Sequence, residues 1–370
     1  MARVKISLSR SALTNNYRII SQKVPALRIL PMIKANAYGH DSAYVARSLL
    51  PEKNLYGFGV ATFAEAMELR QKVPEARQLP ILVFSDSGPW NDVKKNVCLA
   101  NNLEPVLSDL ETLKLYQNGS VHPHASKIRA HVEVNSGMNR MGIPPDSFSL
   151  IRFEPASIFT HLADAETPHS RLTKMQISCF RRVAEETKQR FPRALLHFSN
   201  SSAIWNAAHY PLTRAMDLVR PGLSLYGIRP FVQAKNEGLK RVMHVCAPIL
   251  NRIHLKYGDR VGYGGTYRCK KPRGEWIMTL GAGYADGVFR SLGGKGFAVI
   301  KSGSGKKKFP IIGRVSMDLM AVSGNLQGNT GSELELWGDL IDPYEQAAFA
   351  GTIPYEMTTR MGGRVERIYE

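Results

Sequence analysis

The sequence predicts an α/β protein: an N-terminal (β/α)8 TIM-type barrel followed by a C-terminal domain built mostly of β-strands. Two observations carry this. Over roughly the first 230 residues, short apolar runs alternate with longer segments whose apolar residues recur every three or four positions. From about residue 235 that periodicity gives way to short β-rich runs broken by glycine.

The apolar runs are RILPMI (28–33), YGFGV (56–60), PILVF (80–84), EPVLS (104–108), IRAHVEV (128–134), SIFTH (157–161), LHFS (196–199) and LVRPGLSLYG (218–227). Segments such as TFAEAMELRQKVP and TKMQISCFRRVAEETKQRFP separate them and read as surface helices. Alternation of this kind implies parallel strands, and eight units are the count of a closed barrel, which places chemistry at the C-terminal strand ends. The β domain is read in HVCAPILNRIHLKYGDRVGYGGTY, WIMTLGAGYADG, GFAVIKSG, FPIIGRVSMDLMAV and ELELWG, with one helix-like piece, DPYEQAAFAG. The expected organisation is a barrel over residues 11–235 and a β domain over 236–370. Residues 1–10 would lend a strand to the β domain, and the first helix would start at Ser11 or Asn15.

Composition bounds the function. The chain has 370 residues, 44% of them hydrophobic and 22% charged, which is ordinary for a globular enzyme. No stretch approaches the ~20 apolar residues that span a membrane, and the first residues carry no apolar leader. The four cysteines, Cys98, Cys179, Cys246 and Cys269, are scattered. Scattered cysteines fit neither a disulfide framework nor a metal site, so no metal and a cytoplasmic location are expected. The net charge of +18 is spread along the chain, and its densest cluster, Lys306 to Lys308, reads as a hairpin tip with no nucleic-acid signature around it. No nucleic-acid or membrane partner is expected.

At the expected strand ends stand Lys34, then Glu133, Asn135 and Arg140, then His161, then Asn200 and Ser201, then Arg220. A lysine, a histidine and two arginines converging on one barrel mouth make a site. A lysine at such a place can act as a nucleophile or a Schiff-base former.

Nine motifs in order, IKANAYGHD, GMNRMG, THLADAE, NSSA, RPGLSLYG, GGTY, GYADG, VSMD and IPYE, cover nearly the whole chain. Their series resembles the alanine racemase family, pyridoxal 5'-phosphate enzymes of fold type III. The resemblance implies that Lys34 carries the cofactor and is one of two catalytic bases. It implies that Tyr267 of GGTY is the second base, contributed by the other subunit of a homodimer, with His161 and Arg220 relaying toward it. Arg220 would face the pyridine nitrogen and keep it unprotonated. The phosphate would be held by Tyr38, Ser201, the backbone of Gly222 and Leu223, and Tyr355. Arg140 and the Met317 backbone would hold the carboxylate of a small amino-acid substrate, and Tyr284 would gate its entry. The implied activity is interconversion of L- and D-alanine for a bacterial cell wall. A broad-specificity racemase, a fold type III decarboxylase and a non-catalytic pyridoxal phosphate-binding protein are the alternatives. Arg220 in place of a carboxylate, and a β domain bearing Tyr267, speak against the last two.

The chain departs from the family in one place. Many members have a carbamylated lysine two residues before an aspartate on strand five, and here those positions are Glu133 and Asn135. Glu133 is expected to supply, as an encoded carboxylate, the anion that orients Arg140.

Overall fold

The computed structural model describes residues 4–86, 89–119, 128–167, 169–326 and 331–370. Residues 1–3 of the expected first strand lie outside them. Strand β1 (Lys5–Leu8) opens the chain. The barrel strands are β2 (Arg28–Ile29), β3 (Phe58–Val60), β4 (Ile81–Val83), β5 (Leu103–Leu107), β6 (His131–Glu133), β7 (Ser157–Phe159), β8 (Leu195–His197) and β9 (Leu218–Val219). Each falls within or overlaps one of the eight apolar runs. β3 to β8 form a continuous parallel sheet, and β2 pairs in parallel with β9. Bridges from Met32 to Gly59 and from Asn200 to Arg220 join the two sheets and close the barrel. Most of these strands are buried along their length, because helices cover one face and the barrel interior the other.

The first helix, α1 (Arg10–Lys23), begins earlier than expected. Ser9 caps it, its hydroxyl accepting from the Ala12 N–H, so the helix starts where a capping oxygen is available. Between β6 and β7 the expected helix is a short 3-10 segment, Pro145–Leu150. The long helix Arg171–Arg190 matches its periodic pattern.

Beyond the barrel run β10 (Met243–Leu255), β11 (Arg260–Val261), β12 (Tyr267–Arg268), β13 (Glu275–Leu280), β14 (Phe297–Ser302), β15 (Gly305–Ile312), β16 (Met320–Ser323), β17 (Glu333–Trp337) and β18 (Glu366–Tyr369). β1 lies between β10, antiparallel, and β18, parallel, so the chain's first and last strands close one edge of the eight-stranded sheet. Ile6 and Leu8 pack in the same cluster as Met243, Val245 and Val365. Asp342 caps the helix Pro343–Ala350, and a second helix, Pro354–Thr359, packs on the segment after β2. Lys306 to Lys308 lie along β15 rather than at the hairpin tip, which is Gly303 and Ser304. Lys308 pairs with Glu345 at 2.7 Å and its ammonium sits 4.0 Å from the Phe297 ring centre.

Candidate active site

All the expected barrel residues gather at the C-terminal strand ends. Lys34 follows β2 and opens a turn of left-handed helix: Ala35, Asn36, Ala37 and Tyr38 have φ of 52°, 51°, 54° and 55°. Left-handed backbone costs an L-residue about 1–2 kcal/mol, so the surroundings must hold it. Glu65 does so from the neighbouring unit. One carboxylate oxygen accepts the Ala35 N–H at 2.7 Å, and the other accepts the Ala61 N–H at 2.7 Å. Asn36 accepts the Ser42 N–H at 2.8 Å. The buried His40 donates from Nδ1 to the carbonyls of Ala37 and Tyr38, 3.0 Å each, and stacks on Tyr226. The result is a lysine at the head of a turn pinned by the hydrogen bonds of Glu65, Asn36 and His40.

Lys34 is accessible at the mouth, yet its amine is crowded by the barrel wall. Burial, reinforced by the charges of Arg140 and Arg220 and opposed by Glu65, lowers its pKa. A larger share of neutral amine, the form that attacks a carbonyl, follows.

Arg220, immediately after β9, is 4% exposed. Its Nη2 donates to the Thr160 carbonyl at 2.9 Å and to His161 Nδ1 at 3.3 Å. Burial lowers its pKa to about 10, with Glu133 opposing. His161 is pushed down to about 3 by burial and then by Arg220, Arg140 and Lys34. It is therefore neutral. Its Nδ1 accepts from a donor-only arginine, which leaves its hydrogen on Nε2.

Glu133 ends β6, 8% exposed, its pKa raised by burial against the pull of Arg220 and Arg140. Asn135 has a local duty: its Oδ1 accepts the N–H groups of Gly137 and Asn139 at 3.0 and 3.1 Å, shaping the loop that carries Arg140.

Ser201 Oγ accepts the N–H of Gly222 at 3.0 Å and of Ser224 at 3.3 Å. Leu223 follows Gly222 in this turn. A Cβ at Gly222 would lie 2.7 Å from the Tyr38 hydroxyl, so only glycine lets that phenol sit against the backbone. Tyr355 lies across from Tyr38, ring centres 6.0 Å apart. Burial raises the pKa of both phenols, so both are neutral donors. A crowded lysine amine, a buried guanidinium and a cluster of hydroxyls with backbone N–H groups fit pyridoxal phosphate: Lys34 for the aldehyde, Arg220 for the ring nitrogen, and Tyr38, Ser201, Gly222, Leu223 and Tyr355 for the phosphate.

Tyr267, Met317 and Tyr284 stand apart from this group on the β domain. The Tyr267 hydroxyl donates to Glu275, whose other oxygen accepts from Ser323 at 2.9 Å and from Lys271 at 2.8 Å. Burial, then Glu275, pushes the phenol up to about 12. Met317 and Tyr284 line one cavity with Tyr263, Arg290 and Arg314. Among the described residues no hydrogen bond or ring contact joins these three to Lys34, His161 or Arg220.

Sequence reasoning missed Glu65, His40 and Glu275, and also His131 and His197, which lie in the barrel interior. The last two carried a readable signal: a histidine within an apolar parallel strand is buried and needs partners.

Two family models match the chain, the alanine racemase N-terminal domain over residues 8–230 and the alanine racemase C-terminal domain over residues 242–369. The alanine racemase of Haemophilus influenzae is 32% identical, covering 97% of this chain and 96% of its own. The alanine racemase structure from Acinetobacter baumannii superposes with a TM-score of 0.85 at 28% identity, covering 100% of both chains. That from Bartonella henselae, with covalently bound pyridoxal phosphate, gives 0.85 at 27% identity over 100% of both chains. The matched models, the relatives of near-equal length and a barrel mouth built around Lys34 and Arg220 together place this chain in the alanine racemase family, whose members depend on pyridoxal phosphate.

Proposed function

We propose that the chain interconverts L- and D-alanine by two bases on opposite faces of the substrate, in a homodimer whose sites are shared between subunits. The observation that carries this reading is Lys34, its pKa lowered, beside the buried guanidinium of Arg220 on a chain matching alanine racemases along its length. Pyridoxal phosphate, joined to Lys34, supplies the electron-withdrawing system that acidifies the α-hydrogen of an amino acid bound to it.

The residues do the rest. Lys34 Nζ takes or returns the α-proton on one face. The Tyr267 hydroxyl of a second subunit does so on the other. His161 Nε2–H is free to donate to a phenolate, and such a donor favours the charged phenol. Arg220 holds His161 in that tautomer. Arg140 and the Met317 N–H fix the substrate carboxylate, Glu133 supplies the anion beside Arg140, and Tyr284 lines the approach. The product D-alanine would serve a bacterial cell wall from the cytoplasm. Among the described residues no helix is long and apolar enough to cross a membrane.

Two features support the shared site. Tyr267 bonds within its own β domain rather than to Lys34 or His161. The same domain exposes Ile253 and Tyr263 on a cavity of about 660 Å³ that Leu255, Val261 and Ile277 also line. Exposed apolar surface of that kind fits a docked second copy. We read residues 11–235 as the barrel and residues 1–10 with 236–370 as the β domain, a division supported by the pairing of β1 with β10.

The test is proton NMR in heavy water with added pyridoxal phosphate and a panel of L-amino acids, followed by chiral analysis. Loss of the α-proton signal with appearance of the D-isomer, strongest for alanine, is expected. Exchange spread over lysine, arginine and serine would replace alanine with a broad specificity. No exchange at all would refute a racemase.

A further inference from the structure

The barrel interior holds a row of polar side chains that no step above uses. Glu104, His131, Ser157 and His197 stand on four consecutive strands, β5 to β8, and are 4%, 0%, 1% and 0% exposed. Glu104 Oε2 lies 2.7 Å from His131 Nε2. His131 Nδ1 lies 2.6 Å from Ser157 Oγ, and Ser157 Oγ lies 2.9 Å from His197 Nε2. His197 Nδ1 meets Arg220 Nη1. At the other end, Arg129 pairs with Glu104 Oε1 at 3.3 Å. We infer that this row is a one-directional hydrogen-bond relay in which Glu104, His131, Ser157 and His197 act as positioning residues for Arg220.

The direction follows from the two ends. A guanidinium only donates, so His197 Nδ1 is an acceptor and the neutral ring carries its hydrogen on Nε2. That hydrogen goes to Ser157 Oγ. The serine hydroxyl then gives its own hydrogen to His131 Nδ1. His131 therefore carries its hydrogen on Nε2 and donates it to the carboxylate of Glu104, which only accepts. Every donor points from Arg220 to Glu104, and each member is satisfied. A protonated His131 would donate to Ser157 as well. The serine oxygen would then accept from both rings, and its own hydrogen would have no partner among the described residues, a cost in a dry interior. The environment is apolar: the Phe159 ring stacks on His197 at 4.7 Å, and the Arg220 guanidinium lies 4.8 Å from the Phe159 ring centre. The low pKa of His197, caused by burial and then by Arg220, agrees with a neutral ring.

The relay gives the buried Arg220 charge an oriented acceptor backed by a distant anion. It holds the guanidinium plane together with the bonds from Nη2 to the Thr160 carbonyl and His161 Nδ1. The role of Arg220 toward a cofactor ring rests on the proposed function; the hydrogen positions do not.

The test is long-range proton–nitrogen NMR on holoenzyme labelled with ¹⁵N-histidine, with His131→Asn and His197→Asn for assignment. Near neutral pH both rings should be neutral with the hydrogen on Nε2. A hydrogen on Nδ1 of either ring, or an imidazolium at His131, would overturn the relay. Glu104→Gln supplies a second reading. An amide can accept or donate, so it no longer fixes His131 Nε2 as a donor, whereas Arg220 still fixes His197. His131 should then show mixed tautomers while His197 keeps its hydrogen on Nε2, and turnover should fall roughly tenfold, the low end for partners that orient ligating histidines, with KM unchanged. Wild-type tautomers and turnover in Glu104→Gln would also overturn it. If that variant does not fold, the wild-type spectrum decides. Correct tautomers without racemisation would refute the proposed function and leave the relay standing.

Discussion

Lys34, Tyr267 and Glu133 show how much a side chain's chemistry depends on one neighbour. Tyr267 donates to Glu275, and a carboxylate beside a phenol disfavours the phenolate. Glu275→Gln removes that charge while keeping the shape. The rise of kcat/KM with pH, in the direction where Tyr267 accepts the proton, should then move to lower pH. Profiles measured from L- and from D-alanine check this, and an unmoved limb in both would show that Glu275 does not tune the phenol. Glu133→Gln should lower activity, because Arg140 loses its anion, and bicarbonate should not restore it; wild-type rates would show that Arg140 needs no anion there. Lys34 and Arg140 were legible in the motifs. The partners were not. Glu275 is eight residues from Tyr267 in sequence, and only the pairing of β12 with β11 and the fold of β13 bring its carboxylate to the phenol.

At the scale of the element, the left-handed turn after β2 is the piece that local propensity opposes. Two alanines and a tyrosine in left-handed backbone cost several kcal/mol together, on the order of 1–2 each. Glu65, Asn36 and His40 offset it. His40 is wholly buried and its pKa is lowered to about 4, by burial against the pull of two carbonyls. The unfolded chain takes up this proton below about pH 6.5, whereas the folded protein resists until about pH 4. Its contribution to stability therefore falls as pH drops through that window, by roughly 3 kcal/mol. Urea unfolding at pH 7 and pH 4.5 should show a smaller loss for His40→Asn than for wild type, and equal losses would assign the acid sensitivity elsewhere. Gly222 tests the phosphate end. Gly222→Ala puts a methyl 2.7 Å from the Tyr38 hydroxyl. Affinity for pyridoxal phosphate, followed by its absorbance, should weaken by about tenfold or more, ~1.4 kcal/mol. Retained affinity would show that this phenol is not a phosphate contact. The β/α alternation marked every barrel strand, yet it did not show this turn, because its conformation is imposed by distant hydrogen bonds rather than by the residues' own preferences.

For the whole molecule, the decisive prediction concerns assembly. If Lys34 and Tyr267 of different subunits form each site, a Lys34→Ala chain mixed with a Tyr267→Phe chain should recover activity. Each heterodimer holds one intact site, so about a quarter of the wild-type rate is the expectation for random pairing of equal amounts, half of the dimers being mixed with one of two sites restored. Heterodimers shown to form without activity would refute shared sites. By itself the sequence determined the barrel-plus-β architecture and the residues at the strand ends. Period, strand spacing and ordered motifs are local properties, and burial of apolar runs on both faces of parallel strands leaves a pattern readable along one chain. Tertiary structure alone decided which groups face each other: Glu65 under Ala35, Glu275 on Tyr267, and the row from Glu104 through His131, Ser157 and His197 to Arg220. Those contacts join residues 8 to 40 positions apart. Barrel closure sets all but the Tyr267 pair, because it brings side chains of successive strands together in a space where every polar group must find a partner.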